Sequence, residues 1–81
     1  MILRSVQCKM ARAALGMGVR ELAALAKVSA DTVARFERGD DLKERTIDAL
    51  QRALEVAGIE FIDENGGGPG VRLRKRRQKK G

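Results

Sequence analysis

The segment Val19–Arg38 constrains the fold of this chain more than any other stretch. Its apolar residues recur at helical spacings in two short runs, which are separated by only three or four residues. Ala23 provides a small side chain where two such helices would cross. The apolar residues expected to fix the angle between them are Leu22, Val28, Val33 and Phe36. The pattern therefore predicts two short helices that cross closely through a tight turn, with the second held outward.

Helical spacing continues on both sides of this segment. Glycines at positions 16, 18, 39 and 58 divide residues 5–57 into four pieces, which predicts helices over about 5–15, 19–26, 30–38 and 44–57. Ser29 is a good N-cap for the third helix, and its hydroxyl can accept from the amide of Asp31 or Thr32. Gly39 suits the left-handed position after that helix.

After Gly58 the apolar period changes from 3.6 to 2. Ile59 and Phe61, then Val71 and Leu73, alternate with charged residues, which predicts two short strands around the turn-rich DENGGGPG segment. Glu60 would then face an arginine across the pair. Because an isolated hairpin is marginal in water, it must pack on the helices, recruit Met1–Leu3 as a third strand, or pair with a second chain.

Charge is distributed very unevenly along the 81 residues. Residues 1–70 contain 10 basic and 11 acidic side chains, whereas residues 71–81 contain seven basic ones and none that is acidic. The RKRRQKKG end has no apolar residue to bury, so we expect disorder there unless it meets a polyanion. A basic segment of this kind favours phosphate contacts, and the candidates are Arg74, Lys75, Arg76 and Arg77.

Composition argues against an enzyme. The chain has no histidine and a single cysteine, so a metal shell, a catalytic triad and a disulfide framework are not expected, and no cofactor is implied. Cys8 falls on the apolar face of the first helix, which favours a small buried hydrophobe over a redox sensor. No apolar run approaches a membrane span and no secretion signal is apparent, so we expect a cytoplasmic protein that does not bind membranes.

The stretch ELAALAKVSADTVARFERG resembles the phage-repressor-like, Cro/CI-type (XRE) family of DNA-binding domains. It is similar to that family's pattern E-L-A-x-x-A-G-V-S-x-x-T-I-x-x-[LFW]-E-x-G, and the preceding ARAALGM is similar to the end of its first helix. The resemblance covers about residues 6–57. It implies a helix-turn-helix in which the helix at 30–38 enters the major groove of double-stranded DNA.

The resemblance also implies roles for individual residues. Those that would face base edges are Ser29, Ala30, Asp31 and Arg35. Arg35 would be the strongest reader because a guanidinium can donate two bonds to guanine, whereas a capping role suits Asp31 better. Phosphate contacts would come from the start of the second helix at Val19 and from Thr32, Arg38, Lys43 and Arg45. Arg12 and Glu37 would form a partly buried ion pair between the first and third helices.

Three places differ from the family pattern. Val19 replaces the usual polar residue or glutamine, which removes a side-chain hydrogen bond to phosphate or to a base-reading neighbour, and Lys27 replaces the usual glycine of the turn. Asp40 and Asp41 lie where basic or polar residues are usual, and they would oppose phosphate. The helical body is therefore expected to bind DNA modestly, with the basic end adding affinity.

Together these features predict a mainly α fold in three parts: a four-helix helix-turn-helix domain at 1–58 with its motif at 19–38, a β-hairpin at 59–74, and a disordered basic tail at 75–81. The predicted function is a sequence-specific transcriptional regulator that acts as a homodimer, with the hairpin as dimerisation element. Two alternatives remain open: a protein-interaction module of antiactivator or antitoxin type on the same fold, and a nonspecific nucleic-acid coat driven by the tail.

Overall fold

Four helices and one antiparallel hairpin follow one another along the chain. The computed structural model of the protein describes residues 2–74, so the predicted disordered segment at 75–81 lies outside the described residues. The helices are α1 (Ser5–Leu15), α2 (Val19–Ala26), α3 (Ala30–Glu37) and α4 (Glu44–Val56), and the strands are β1 (Ile59–Ile62) and β2 (Gly70–Leu73). The predicted mainly α fold with a C-terminal hairpin is confirmed, with α3 and α4 each one residue shorter than predicted.

The core forms where the apolar stripes of the four helices meet. Its largest fully buried side chains include Leu22 from α2, Val33 from α3, and Leu50 and Leu54 from α4. Cys8 and Ala11 contribute the small residues of α1 and are fully buried, whereas Leu15 is only partly covered. Burial of one stripe from each helix fixes α2 and α3 against α1 and α4, because each apolar face has only this place to leave water.

The hairpin packs on α1 and α4, which is the first of the three possibilities left by the sequence. In the antiparallel register, Glu60 on β1 lies opposite Arg72 on β2, and Arg72 Nε is 2.9 Å from the Glu60 carboxylate. Ile59 is fully buried, and Leu3 is buried without forming a strand in the two-stranded sheet. The prediction that Leu73 shares the buried face with Val71 is wrong. Leu73 lies at the open end of the strand pair, and its side chain is exposed.

A glutamine on α1 ties the hairpin down. Gln7 is buried, and its Nε2 donates to the carbonyls of Ile62 and Gly70 at 3.1 Å each. Its Oε1 accepts from the Arg4 amide at 3.0 Å, so the same side chain also caps the start of α1. Gln7 thereby holds the loop end of the hairpin against the first helix with all of its polar atoms satisfied.

The turn between α2 and α3 forces one side chain into an unfavourable backbone conformation. Lys27 has φ 60° and ψ 45°, and it is the one positive-φ residue other than glycine in residues 2–74. Its amide and that of Val28 donate to the last carbonyls of α2, including Ala23, so the turn is set by capping and has little freedom to relax.

Replacing Lys27 with glycine is expected to stabilise the domain. Relief of the left-handed strain outweighs the extra chain entropy of glycine, which leaves a gain of about 0.5–1 kcal/mol in the free energy of unfolding. Lys27→Ala is the control because it removes the charge and keeps the strained Cβ. Urea unfolding compares the two variants, and equal midpoints would contradict the strain argument.

Candidate nucleic-acid interface

Helix α3 is held by its apolar face so that its polar face remains uncovered. Val33 and Phe36 are buried where α3 packs against α2 and α1, and Ala23 on α2 allows α2 and α3 to approach closely. Three residues, Lys27, Val28 and Ser29, separate α2 from α3. This is the arrangement predicted from the spacing of segment 19–38, and it presents the first turn of α3 to solvent.

The far end of α3 is joined to α1 by a buried ionic cluster. The Glu37 carboxylate accepts from Arg12 Nη2 at 2.7 Å and from Arg12 Nε at 2.8 Å, a bidentate contact. Cys8 Sγ donates to the same carboxylate at 3.2 Å, and Arg12 Nη1 donates to the Met17 carbonyl at 3.1 Å. The predicted ion pair is present in this structure and also includes the thiol.

The pKa values in this cluster follow from its contacts. Burial raises the pKa of the Cys8 thiol well above its ordinary value, and the neighbouring Glu37 carboxylate raises it further, so the sulfur stays protonated and donates. Burial alone would raise the pKa of Glu37, but hydrogen bonds from Arg12 and Cys8 outweigh it and the pKa is lowered. The bond to Glu37 raises the pKa of Arg12. Both members of the pair are therefore charged at neutral pH.

The first turn of α3 is capped by its own side chains. Ser29 Oγ accepts from the Thr32 amide at 3.0 Å, which confirms the predicted N-cap and assigns its partner. The hydroxyls of Ser29 and Thr32 lie 2.8 Å apart. Asp31 lies in the same turn, where a carboxylate complements the helix dipole. Ser29 and Thr32 thus have local partners, and contact with DNA would have to share or replace them.

The four residues predicted to face base edges differ in accessibility. Ser29, Asp31 and Arg35 are exposed on α3 and its N-cap, whereas Ala30 is half-buried and packs against the core. Arg35 Nε lies 3.4 Å from the Asp40 carboxylate, and 44% of the Arg35 side chain remains exposed. The structure thus brings Ser29, Asp31 and Arg35 to one accessible helix and gives Ala30 a mainly structural position.

The predicted phosphate contacts surround α3. Arg38 is its exposed C-cap, Lys43 is the N-cap of α4, and Arg45 is exposed in the first turn of α4. Val19 begins α2, and its side chain packs on the core and has no hydrogen-bonding group. Its backbone amide is therefore the group that could donate to a phosphate. The cations therefore lie at the ends of helices next to α3.

Arg74 lies elsewhere in the structure. Its Nη2 donates to the Glu55 carbonyl at 2.8 Å, which caps the end of α4, and approaches the Ile59 carbonyl at 3.4 Å. Its predicted phosphate contact would compete with these bonds. Lys75, Arg76 and Arg77 lie outside the described residues.

Comparison with known proteins agrees with this geometry. The family model described as a helix-turn-helix domain matches residues 6–61, which is more than half of the chain. The chain therefore belongs to the helix-turn-helix domain family. No curated protein matches it significantly. Within residues 2–74, every helix is too short or too polar to cross a bilayer.

Proposed function

We propose that the protein is a sequence-specific double-stranded DNA-binding regulator of transcription, of the phage-repressor-like (Cro/CI-type, XRE) kind. The observation that carries the proposal is the accessible face of α3, where Ser29, Asp31 and Arg35 are exposed while Val33 and Phe36 anchor the opposite face. A helix held in this way has the width and presentation that fit the major groove.

Each exposed group has a defined role in this proposal. Arg35 reads guanine through two hydrogen bonds to O6 and N7. Ser29 and Asp31 lie near the base edges at the start of α3, where Asp31 chiefly stabilises the helix. The Arg38, Lys43 and Arg45 side chains and the first amides of α2 hold phosphates, which fixes the register of the helix without reading sequence.

Loss of the Arg35 side chain tests the proposal directly. A preferred DNA sequence is first selected from random fragments, and binding is then compared between that duplex and a scrambled one. Arg35→Ala is expected to weaken binding to the preferred duplex by about 1–3 kcal/mol, with a much smaller loss on the scrambled duplex.

The matched control is Arg52→Ala. Arg52 is an exposed arginine on α4 whose partner is Asp48, four residues earlier, so its removal changes the net charge equally and leaves α3 intact. It should weaken both duplexes slightly and to the same extent. Equal loss of discrimination in the two variants would contradict base reading by Arg35.

We further propose that the protein acts as a homodimer through the hairpin. Of the five exposed large hydrophobic residues in residues 2–74, three lie on the hairpin or beside it. Leu73 is on β2, Val56 ends α4 just before β1, and Ile2 lines a cleft with residues of the hairpin loop. A second copy is the favoured partner because one recognition helix covers few base pairs and a two-fold dimer doubles the site.

Leu73→Glu is expected to abolish the dimer, because it places a charge in the buried interface. Leu25→Glu is the control, since Leu25 on α2 is exposed to the same 54% and lies away from the hairpin. Light scattering at tens of micromolar reports the mass of each variant. If the wild-type protein were a monomer at that concentration, and its mass per protein complex showed one copy with DNA as well, the dimer proposal would be wrong.

A second candidate function is a protein-interaction module, which the exposed Asp40 and Asp41 at the end of α3 favour. Two carboxylates there oppose phosphate and would suit a basic partner protein. This alternative expects no preferred DNA sequence in the selection experiment, whereas the regulator expects one. The same experiment therefore separates them.

A further inference from the structure

The turn at the end of α3 brings Asp40 back to Arg35. Gly39 adopts φ 99°, and its amide donates to the Phe36 carbonyl at 3.0 Å. The Asp40 amide donates to the carbonyl of Arg35 itself, also at 3.0 Å. This pair of bonds is a Schellman motif, so the Asp40 backbone is fixed relative to Arg35.

The Asp40 carboxylate contacts the Nε edge of the Arg35 guanidinium. Its Oδ2 lies 3.4 Å from Arg35 Nε and 3.8 Å from Arg38 Nη2. Within residues 2–74 the terminal nitrogens Nη1 and Nη2 of Arg35 make no hydrogen bond. Because the guanidinium is a rigid planar fork, holding the Nε edge leaves its far end free as a two-pronged donor.

We infer that Asp40 is a positioning residue that holds Arg35 for an end-on contact with guanine, an inference that rests on the proposed DNA recognition. An arginine already held at Nε loses less rotamer freedom when it meets a base, so the correct base is favoured. The same carboxylate repels phosphates of every sequence. Asp40 thus lowers affinity for all DNA and raises the difference between the preferred duplex and others.

Asp41 provides a matched control one residue away. It is exposed and makes no ion pair within residues 2–74, so Asp41→Asn removes the same charge without touching Arg35. Both Asp40→Asn and Asp41→Asn are expected to bind a scrambled duplex more tightly. Only Asp40→Asn is expected to reduce the ratio of preferred to scrambled affinity, by about 1.4- to fivefold, the range measured for exposed ion pairs. Equal ratios in the two variants would overturn the inference.

Two further measurements show whether Asp40 acts through Arg35. In an Arg35→Ala background, Asp40→Asn should leave the affinity ratio unchanged, and a further fall would contradict the positioning role. Proton exchange at Arg35 Nε–H in the free protein, followed by NMR, should be faster in Asp40→Asn than in wild type or Asp41→Asn.

The exchange measurement needs no DNA, so it separates the two proposals. A wild-type protein with no preferred sequence would contradict the proposed function, while slow Nε–H exchange would still support the contact between Asp40 and Arg35. Unchanged exchange in Asp40→Asn would overturn the contact whatever the protein binds.

Discussion

Replacing Arg12 with methionine is expected to destabilise the domain by about 3–5 kcal/mol, because it leaves a buried carboxylate without its cation. The Glu37 side chain is only 8% exposed and would keep only the Cys8 thiol as a partner. The Met17 carbonyl would also lose a donor. A domain of this size has a total stability of roughly 4–12 kcal/mol, so Arg12→Met should lose at least about a quarter of it.

Removal of the other partner is expected to cost less. In Glu37→Met the orphaned group is Arg12, whose side chain is 22% exposed and can turn its guanidinium further into water. Circular dichroism during urea unfolding gives both free energies. A larger loss in Glu37→Met than in Arg12→Met would contradict this account of the burial.

The double variant separates an uncompensated charge from lost packing. Arg12→Met combined with Glu37→Met replaces the pair by apolar side chains of similar length, and we expect it to recover most of the stability lost in Arg12→Met. If the double variant were as unstable as Arg12→Met, the large effect would have to come from packing or from the Met17 contact.

Acid provides an independent check on the same cluster. The folded-state pKa of Glu37 is lowered from its ordinary value of 4.5, so the ion pair contributes stability above pH 4.5 and loses it as the pH falls through the folded-state pKa. In Arg12→Met, acid protonates Glu37, so the folded variant no longer contains a buried charge without a partner. The gap in stability between wild type and Arg12→Met should therefore be smaller below about pH 4.5 than at neutral pH. It should begin to narrow above about pH 4.5, because a buried Glu37 without its cation takes up a proton more readily than in the unfolded chain.

The helices and the motif could be predicted from the sequence because their signals are local. Apolar spacing, the Ser29 cap and Gly39 each act within one turn of α3, and the structure has them as predicted. The Arg12–Glu37 pair joins residues 25 positions apart, yet it could be predicted because a family pattern already relates those two positions. The bounds of α1 and α2 also agree with the prediction, because the apolar spacing and the glycines that define them are local signals.

The contacts that were missed depend on how separate elements pack. Gln7 looks like an ordinary surface residue in the sequence, and only the position of the hairpin 55 residues later makes it a buried clamp. Asp40 was predicted solely as a repulsive charge, because its approach to Arg35 depends on the Schellman turn. Arg74 was assigned by charge alone, whereas the end of α4 gives it carbonyl partners.

Removal of residues 75–81 is expected to weaken DNA binding strongly and without regard to sequence. The deletion takes away Lys75, Arg76, Arg77, Lys79 and Lys80, which lowers the formal net charge from +6 to +1. Each phosphate contact adds about 0.9 to the slope of log affinity against log salt, so the loss of up to five contacts flattens that slope by as much as about 4.5. The tail's contribution would then fall on the order of 500-fold between 50 and 200 mM salt.

Two control variants keep the chain length. One removes the charges of residues 75–81, and the other keeps those charges but changes the order of the residues. Replacing the five cations by glutamine should reproduce the deletion, while shuffling residues 75–81 should leave affinity and salt slope as in wild type, because counterion release depends on charge and not on order. The affinity ratio between preferred and scrambled duplexes should stay constant in all three variants, since the basic segment holds phosphates and α3 reads bases. A deletion that abolished discrimination would instead indicate that the tail reads the DNA, and an unchanged salt slope would show that it does not touch phosphate.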